Sequence, residues 1–94
     1  ARELRARIAP VLRTAVEAAR AAGLLGGRAW LIGSYAWGQP TVASDVDLLV
    51  ESAADRGALA ARISEAVGLD VDVIRVREAD PALLPHLQRE GMPL

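Results

Sequence analysis

The feature that most constrains this chain is a pairing of two short motifs. Gly33-Ser34 is followed by ten residues, Tyr35 to Ser44, and then by Asp45-Val46-Asp47 at the head of the apolar run Leu48 to Val50. Ahead of the pair stands another apolar run, Ala29 to Ile32, which reads as a strand. Glycine at 33 permits a tight exit from that strand, and Ser34 is suited to cap a following helical turn. A strand, a turn and a helix start gather backbone N–H donors and partial positive charge, which makes Gly33-Ser34 a candidate seat for nucleotide phosphates. In a strand, alternate side chains share a face, so Asp45 and Asp47 project together with Cβ atoms about 7 Å apart. Two such carboxylates repel unless a cation relieves them, and Mg²⁺ characteristically takes carboxylates together with substrate phosphates. Either motif alone also describes an ordinary turn or a half-exposed strand; the joint spacing carries the reading.

The rest of the chain supplies a frame for that stretch. Arg2 to Ala22 is rich in Ala, Leu and Arg, with Val11, Leu12, Ala15, Val16 and Ala19 on one helical face and Arg13, Glu17 and Arg20 on another. Proline disfavours a helix interior, so the main helix is expected from Pro10, with Arg2 to Ala9 a separate turn or a kinked continuation. Gly23 is a natural C-terminal cap, and Gly26-Gly27 turns the chain into the first strand. After the second strand, Ser52 or Asp55 can cap a helix carrying Leu59, Ile63, Ala66 and Val67, which Gly68 ends. Strand, helix and strand imply a right-handed crossover to a parallel neighbour, which lays Asp72, within Val71-Asp72-Val73-Ile74, beside Asp45 and Asp47. Asp70, two residues earlier on the same face, is the rival third carboxylate; Asp72 is preferred because Asp70 follows the helix exit closely. Asp80-Pro81 opens a helical turn, and Pro85 restarts it as a last helix through Glu90.

Composition excludes several chemistries. The chain has 94 residues, 52% of them hydrophobic, which is enough for one domain spanning residues 1–94 with a modest core. The absence of cysteine removes disulfides and thiol chemistry, and the absence of a long uncharged apolar run removes a transmembrane span. With no secretory signal visible, a cytoplasmic location and no membrane partner are expected. Eleven basic and 12 acidic residues give a net charge of -1, which disfavours a nucleic-acid partner. Every basic residue other than His86 is arginine, so lysyl-adenylate, Schiff-base and Walker-type lysine chemistry are excluded. His86 lies far in sequence from the carboxylates and is read as a surface or packing residue. Tyr35 and Trp37 are read as packing the short helix onto the sheet in preference to stacking a base.

Gly33-Ser34, ten residues and Asp45-x-Asp47, with Ser44 just before, resembles the nucleotidyltransferase signature of the DNA polymerase β superfamily. More narrowly, the chain is similar to the minimal nucleotidyltransferases, small proteins commonly paired with a HEPN-domain partner in toxin–antitoxin modules. The resemblance implies an α/β fold of the α+β kind, a small mixed β-sheet of three or four strands flanked by helices in the order α-β-α-β-α-β-α. It implies nucleotide binding by Gly33, Ser34 and Ser44, and metal binding and catalysis by Asp45, Asp47 and Asp72. It further implies two Mg²⁺ ions, ATP as substrate, and AMP transfer to a hydroxyl acceptor, a tyrosine of the HEPN partner being the expected one. Where such relatives carry arginine in the Gly-Ser helix, this chain has Trp37, and Arg28 and Arg75 are the candidates to restore that charge. Two other readings stand beside this one: a scaffold that neutralises a partner by binding, and a small-molecule nucleotidyltransferase of the aminoglycoside-modifying kind.

Overall fold

The computed structural model describes residues 2–38 and 45–94. A helix, α1 (Arg2–Ala21), leads into strand β1 (Gly26–Ile32), a single turn of helix α2 (Ser34–Trp37) and strand β2 (Val46–Ser52). Helix α3 (Arg56–Val67), strand β3 (Val71–Arg75), a 3-10 turn (Val76–Glu78), helix α4 (Leu84–Glu90) and strand β4 (Met92–Pro93) follow. The expected succession of elements is present, with β4 appended after the last helix. Two residues carry no alternation to read, and Pro93, which lacks an N–H, suits the sheet edge it occupies.

The strands form one mixed sheet in the order β3-β2-β1-β4. β1 runs antiparallel to both β2 and β4, whereas β2 and β3 are parallel, as the intervening helix requires. The local signals around α3 act as expected. Asp55 takes the N-cap, its carboxylate accepting the Ala58 N–H at 3.0 Å, and Gly68 closes the helix in the left-handed conformation. Of the two capping candidates, Ser52 is instead the last residue of β2.

One face of the sheet is sealed by α1 and α3. Leu12, Val16, Leu59 and Ile63 pack there against Leu31, Val46, Leu48 and Val73. The opposite face carries a smaller apolar cluster, Trp30, Ile32 and Leu49, under Leu84 and Leu87 of α4. No helix among the described residues is long and apolar enough to cross a membrane.

Helix α1 differs from expectation at Pro10, through which it continues instead of starting there. The proline forfeits a bond to the Ala6 carbonyl, but Ala6 and Pro10 are both exposed, so water reaches the freed group. Ile8 and Leu12, one turn apart across the proline, are both buried and hold the two segments to the same core. Val11 is 44% exposed, so the buried stripe is Ile8, Leu12, Ala15, Val16 and Ala19. The helix ends in a Schellman arrangement at Gly23, with the Leu24 N–H donating to the Ala19 carbonyl at 2.9 Å. Because Pro10 sits in an unbroken, solvent-facing stretch, Pro10→Ala should stabilise the protein by about 1–3 kcal/mol. Thermal unfolding checks this; an unchanged or lower Tm would contradict a helix running through residue 10.

Candidate active site

The two motifs meet at the end of the sheet where β1 finishes and β2 begins. Gly33 leaves β1 with φ 75°, a conformation that glycine adopts without strain. A Cβ built there would lie 2.5 Å from Oδ2 of Asp47, so any other residue would displace that carboxylate. The backbone at Gly33 thus lies directly against the Asp47 carboxylate. The cap of α2 differs from expectation: Gly33 holds the N-cap position without a side-chain hydrogen bond, and Ser34 is the first helical residue. What this corner offers an anion is therefore the outward N–H donors of a helix start together with the Ser34 residue, not a serine already spent on capping.

Asp47 pairs across the ladder with Ile32 of β1 on one side and with Asp72 of β3 on the other. Asp45 stands two residues earlier, exposed, just ahead of β2. Burial pushes the Asp47 carboxyl above its ordinary value of 3.8, and the charges of Asp72 and Asp45 raise it further. Asp47 thus carries the influence of both neighbouring carboxylates. Asp70 has a different place: its carbonyl accepts the Val46 N–H at 2.9 Å, starting the parallel ladder, while Asp72 is the register neighbour of Asp47. Ser44 lies outside the described residues.

The donor set is all oxygen, half-buried at its centre and electrostatically unfavourable when ionised, which fits a hard divalent cation. Among the described residues no group of three acidic or histidine side chains is gathered closely enough to grip a metal unaided. Mg²⁺ does not demand such a cage, since it retains waters and completes its shell with substrate phosphates.

Neither Arg28 nor Arg75 restores the charge missing at Trp37. Arg28 lies over the Trp30 ring at 4.9 Å from its centroid, and its backbone N–H donates to Glu51 at 2.5 Å, toward the far end of β1. Arg75 donates to both carboxylate oxygens of Glu78, at 2.9 and 3.0 Å, and to the Ala53 carbonyl. Those bonds draw the Glu78 carboxyl down to about 2. Of the two aromatic residues read as packing, Tyr35 is buried in the core beneath α2 and the Trp37 side chain lies outside what the structure describes; His86 is exposed on α4. Among the described residues, Arg5 reaches the Gly-Ser helix, its Nη1 donating to the Ala36 carbonyl at 2.6 Å. Its signal lay in the spacing: Arg5 stands three and seven residues before Ile8 and Leu12, a charged group on the buried stripe of α1.

The raised Asp47 pKa has a stability consequence. A carboxyl whose folded pKa exceeds its unfolded value favours the fold while protonated and loses that advantage as pH rises through the folded pKa. Asp47→Asn should therefore match the wild type below pH 3.8 and become the more stable protein as pH rises toward neutrality. Melting temperatures across pH 3 to 8 check this; a variant that is less stable at neutral pH would assign Asp47 a structural role.

The family model for the nucleotidyltransferase domain matches residues 12–90. No curated protein matches the chain. Among solved structures, one named "Structure of putative minimal nucleotidyltransferase" superposes with a TM-score of 0.74 at 28% identity, covering 99% of this chain and 94% of that one. Another, "Crystal structure of the toxin-antitoxin with AMP-PNP", superposes at 0.63 with 27% identity, covering 95% of this chain and 70% of that one. The matched span contains both motifs and the strand bearing Asp72, and the chain accordingly belongs to the nucleotidyltransferase domain family.

Proposed function

We propose that this chain transfers AMP from ATP to a hydroxyl on a protein partner, and that the partner is a HEPN-domain toxin which it silences by modifying a tyrosine. The observation that carries the reading is the packing of Gly33 against Asp47, with Asp72 next to Asp47 in the parallel ladder. A phosphate seat and a carboxylate cluster are thereby held at one corner, the arrangement that nucleotidyl transfer needs. Support for the nucleotide and for a partner comes from the toxin–antitoxin structure with AMP-PNP, to which this chain is similar.

In the proposed reaction the acceptor oxygen attacks the α-phosphorus of ATP. A new P–O bond forms, the bond to the β-phosphate oxygen breaks, and pyrophosphate leaves with the electron pair. Ser34 and the neighbouring N–H groups hold the triphosphate, with Gly33 allowing its close approach. Asp45, Asp47 and Asp72 would hold Mg²⁺, which when bound offsets phosphate charge and lowers the pKa of the acceptor hydroxyl. Asp72, exposed at the sheet edge, accepts the hydroxyl proton. AMP placed on a tyrosine near an RNA-cleaving site would add bulk and negative charge where RNA must bind.

A second reading, an occluding scaffold, is favoured by one observation: Arg28 and Arg75 are both engaged away from the Gly-Ser turn. Incubation with labelled ATP, Mg²⁺ and the protein encoded by the adjacent gene separates the two. The enzyme reading expects label on the partner, persisting after this chain is removed, and a loss of about 10²-fold or more in Asp45→Asn. An inhibited but unlabelled partner, recovering once this chain is removed, would overturn transfer in favour of occlusion.

A further inference from the structure

We infer that Arg5 is a positioning residue for the Gly33-Ser34 turn, an inference that rests on the reading of that turn as the triphosphate seat. Helix α2 is a single turn of four residues. A helix that short has too few internal hydrogen bonds to hold its own shape and takes its position from what clamps its ends. Its leading end is set by Gly33, wedged against the Asp47 carboxylate. Its trailing end has no basic residue of its own to meet the last carbonyls. Arg5 supplies that group from α1, donating Nη1 to the Ala36 carbonyl across 31 residues of chain.

The surrounding geometry converts that bond into control of Ser34. The Gly38 N–H returns to the Ser34 carbonyl at 3.0 Å, and a Cβ on Gly38 would lie 2.9 Å from the Ser34 Cα, so the turn is closed tightly on itself. A shift of Ala36 is therefore passed to Ser34 instead of being absorbed between them. Arg5 is itself held: it is half-buried and lies on the stripe that anchors α1 through Ile8 and Leu12. A charge-assisted bond from a fixed helix to the carbonyl of a one-turn helix sets the distance between the phosphate seat and the carboxylates. Arg5 need not touch the nucleotide to do so.

The test compares Arg5→Met, which keeps much of the stem and removes the donors, with Arg5→Lys, which keeps a cationic donor, and with Arg7→Met on an exposed position of the same helix. Each is assayed for kcat, for KM with Mg-ATP, for apparent Mn²⁺ affinity from the Mn²⁺ dependence of the rate at saturating ATP, and for melting temperature. Loss of one charge-assisted bond at the seat should raise KM for ATP about tenfold in Arg5→Met. Arg5→Lys should recover most of that loss, Mn²⁺ affinity should be unchanged in both, and Arg7→Met should match the wild type. Wild-type KM in Arg5→Met, with the wild type active, would overturn the role of Arg5 alone. Equal impairment in the Lys and Met variants, with parallel losses of Mn²⁺ affinity and Tm, would reduce Arg5 to a structural residue and also overturn it. A wild-type chain that neither binds nor consumes ATP would overturn the nucleotide reading beneath the inference, and is told apart because it appears before any variant is compared.

Discussion

The carboxylate of Asp47 is the point on which this structure turns. It is half-buried, pressed against the backbone of Gly33, and flanked by the charges of Asp72 and Asp45, so its ionised form is disfavoured by desolvation and repulsion together. A fold carries such a group only if the elements around it are stabilised from elsewhere. Here that comes from the opposite face of the sheet, where α1 and α3 bury Leu12, Val16, Leu59 and Ile63 against the strands that bear the site. The apolar side supports β2 and β3, and the polar corner uses that support to hold an arrangement that repels itself.

The strand order explains why these residues, distant in sequence, share one corner. β2 lies between β1 and β3, so the residue that begins it has the exit of β1 on one side and the start of a parallel strand on the other. The register then brings Ile32, Asp47 and Asp72 into one row across three strands. A shift of one residue in either pairing would turn an aspartate toward the helices and a valine or leucine toward solvent. The apolar neighbours Val46, Leu48 and Val73 therefore specify the site as firmly as they specify the core.

Much of this was legible in the residues. The β2-α3-β3 crossover announces itself through Asp55 and Gly68, and with it the placing of Asp72 beside Asp47. What escaped reading was decided by contacts that local rules do not contain. Pro10 argues for a break, but Ile8 and Leu12 share a buried surface on both sides of it, and tertiary packing overrides the local penalty. Ser34 is a good cap by type, yet the cap position falls on Gly33, which leaves β1 with φ 75° against the Asp47 carboxylate. Strand β1 begins at Gly26, ahead of the apolar run, through an irregularity in its pairing that glycine at 27, with φ 75°, accommodates. The role of Arg5 is hidden in the sequence because arginine on an amphipathic helix is ordinarily a solvated residue, and its acceptor lies 31 positions away.

The proposed function requires the Gly33-Ser34 turn and the carboxylates of Asp45, Asp47 and Asp72 to act as one site that Mg²⁺ completes. Calorimetric titration of the wild-type chain with ATP, in the presence and absence of Mg²⁺, tests it most directly. On that proposal the carboxylates repel a bare triphosphate and receive one that arrives with its cation, so measurable binding is expected with Mg²⁺ and little without it. Equal affinity under the two conditions would contradict the account.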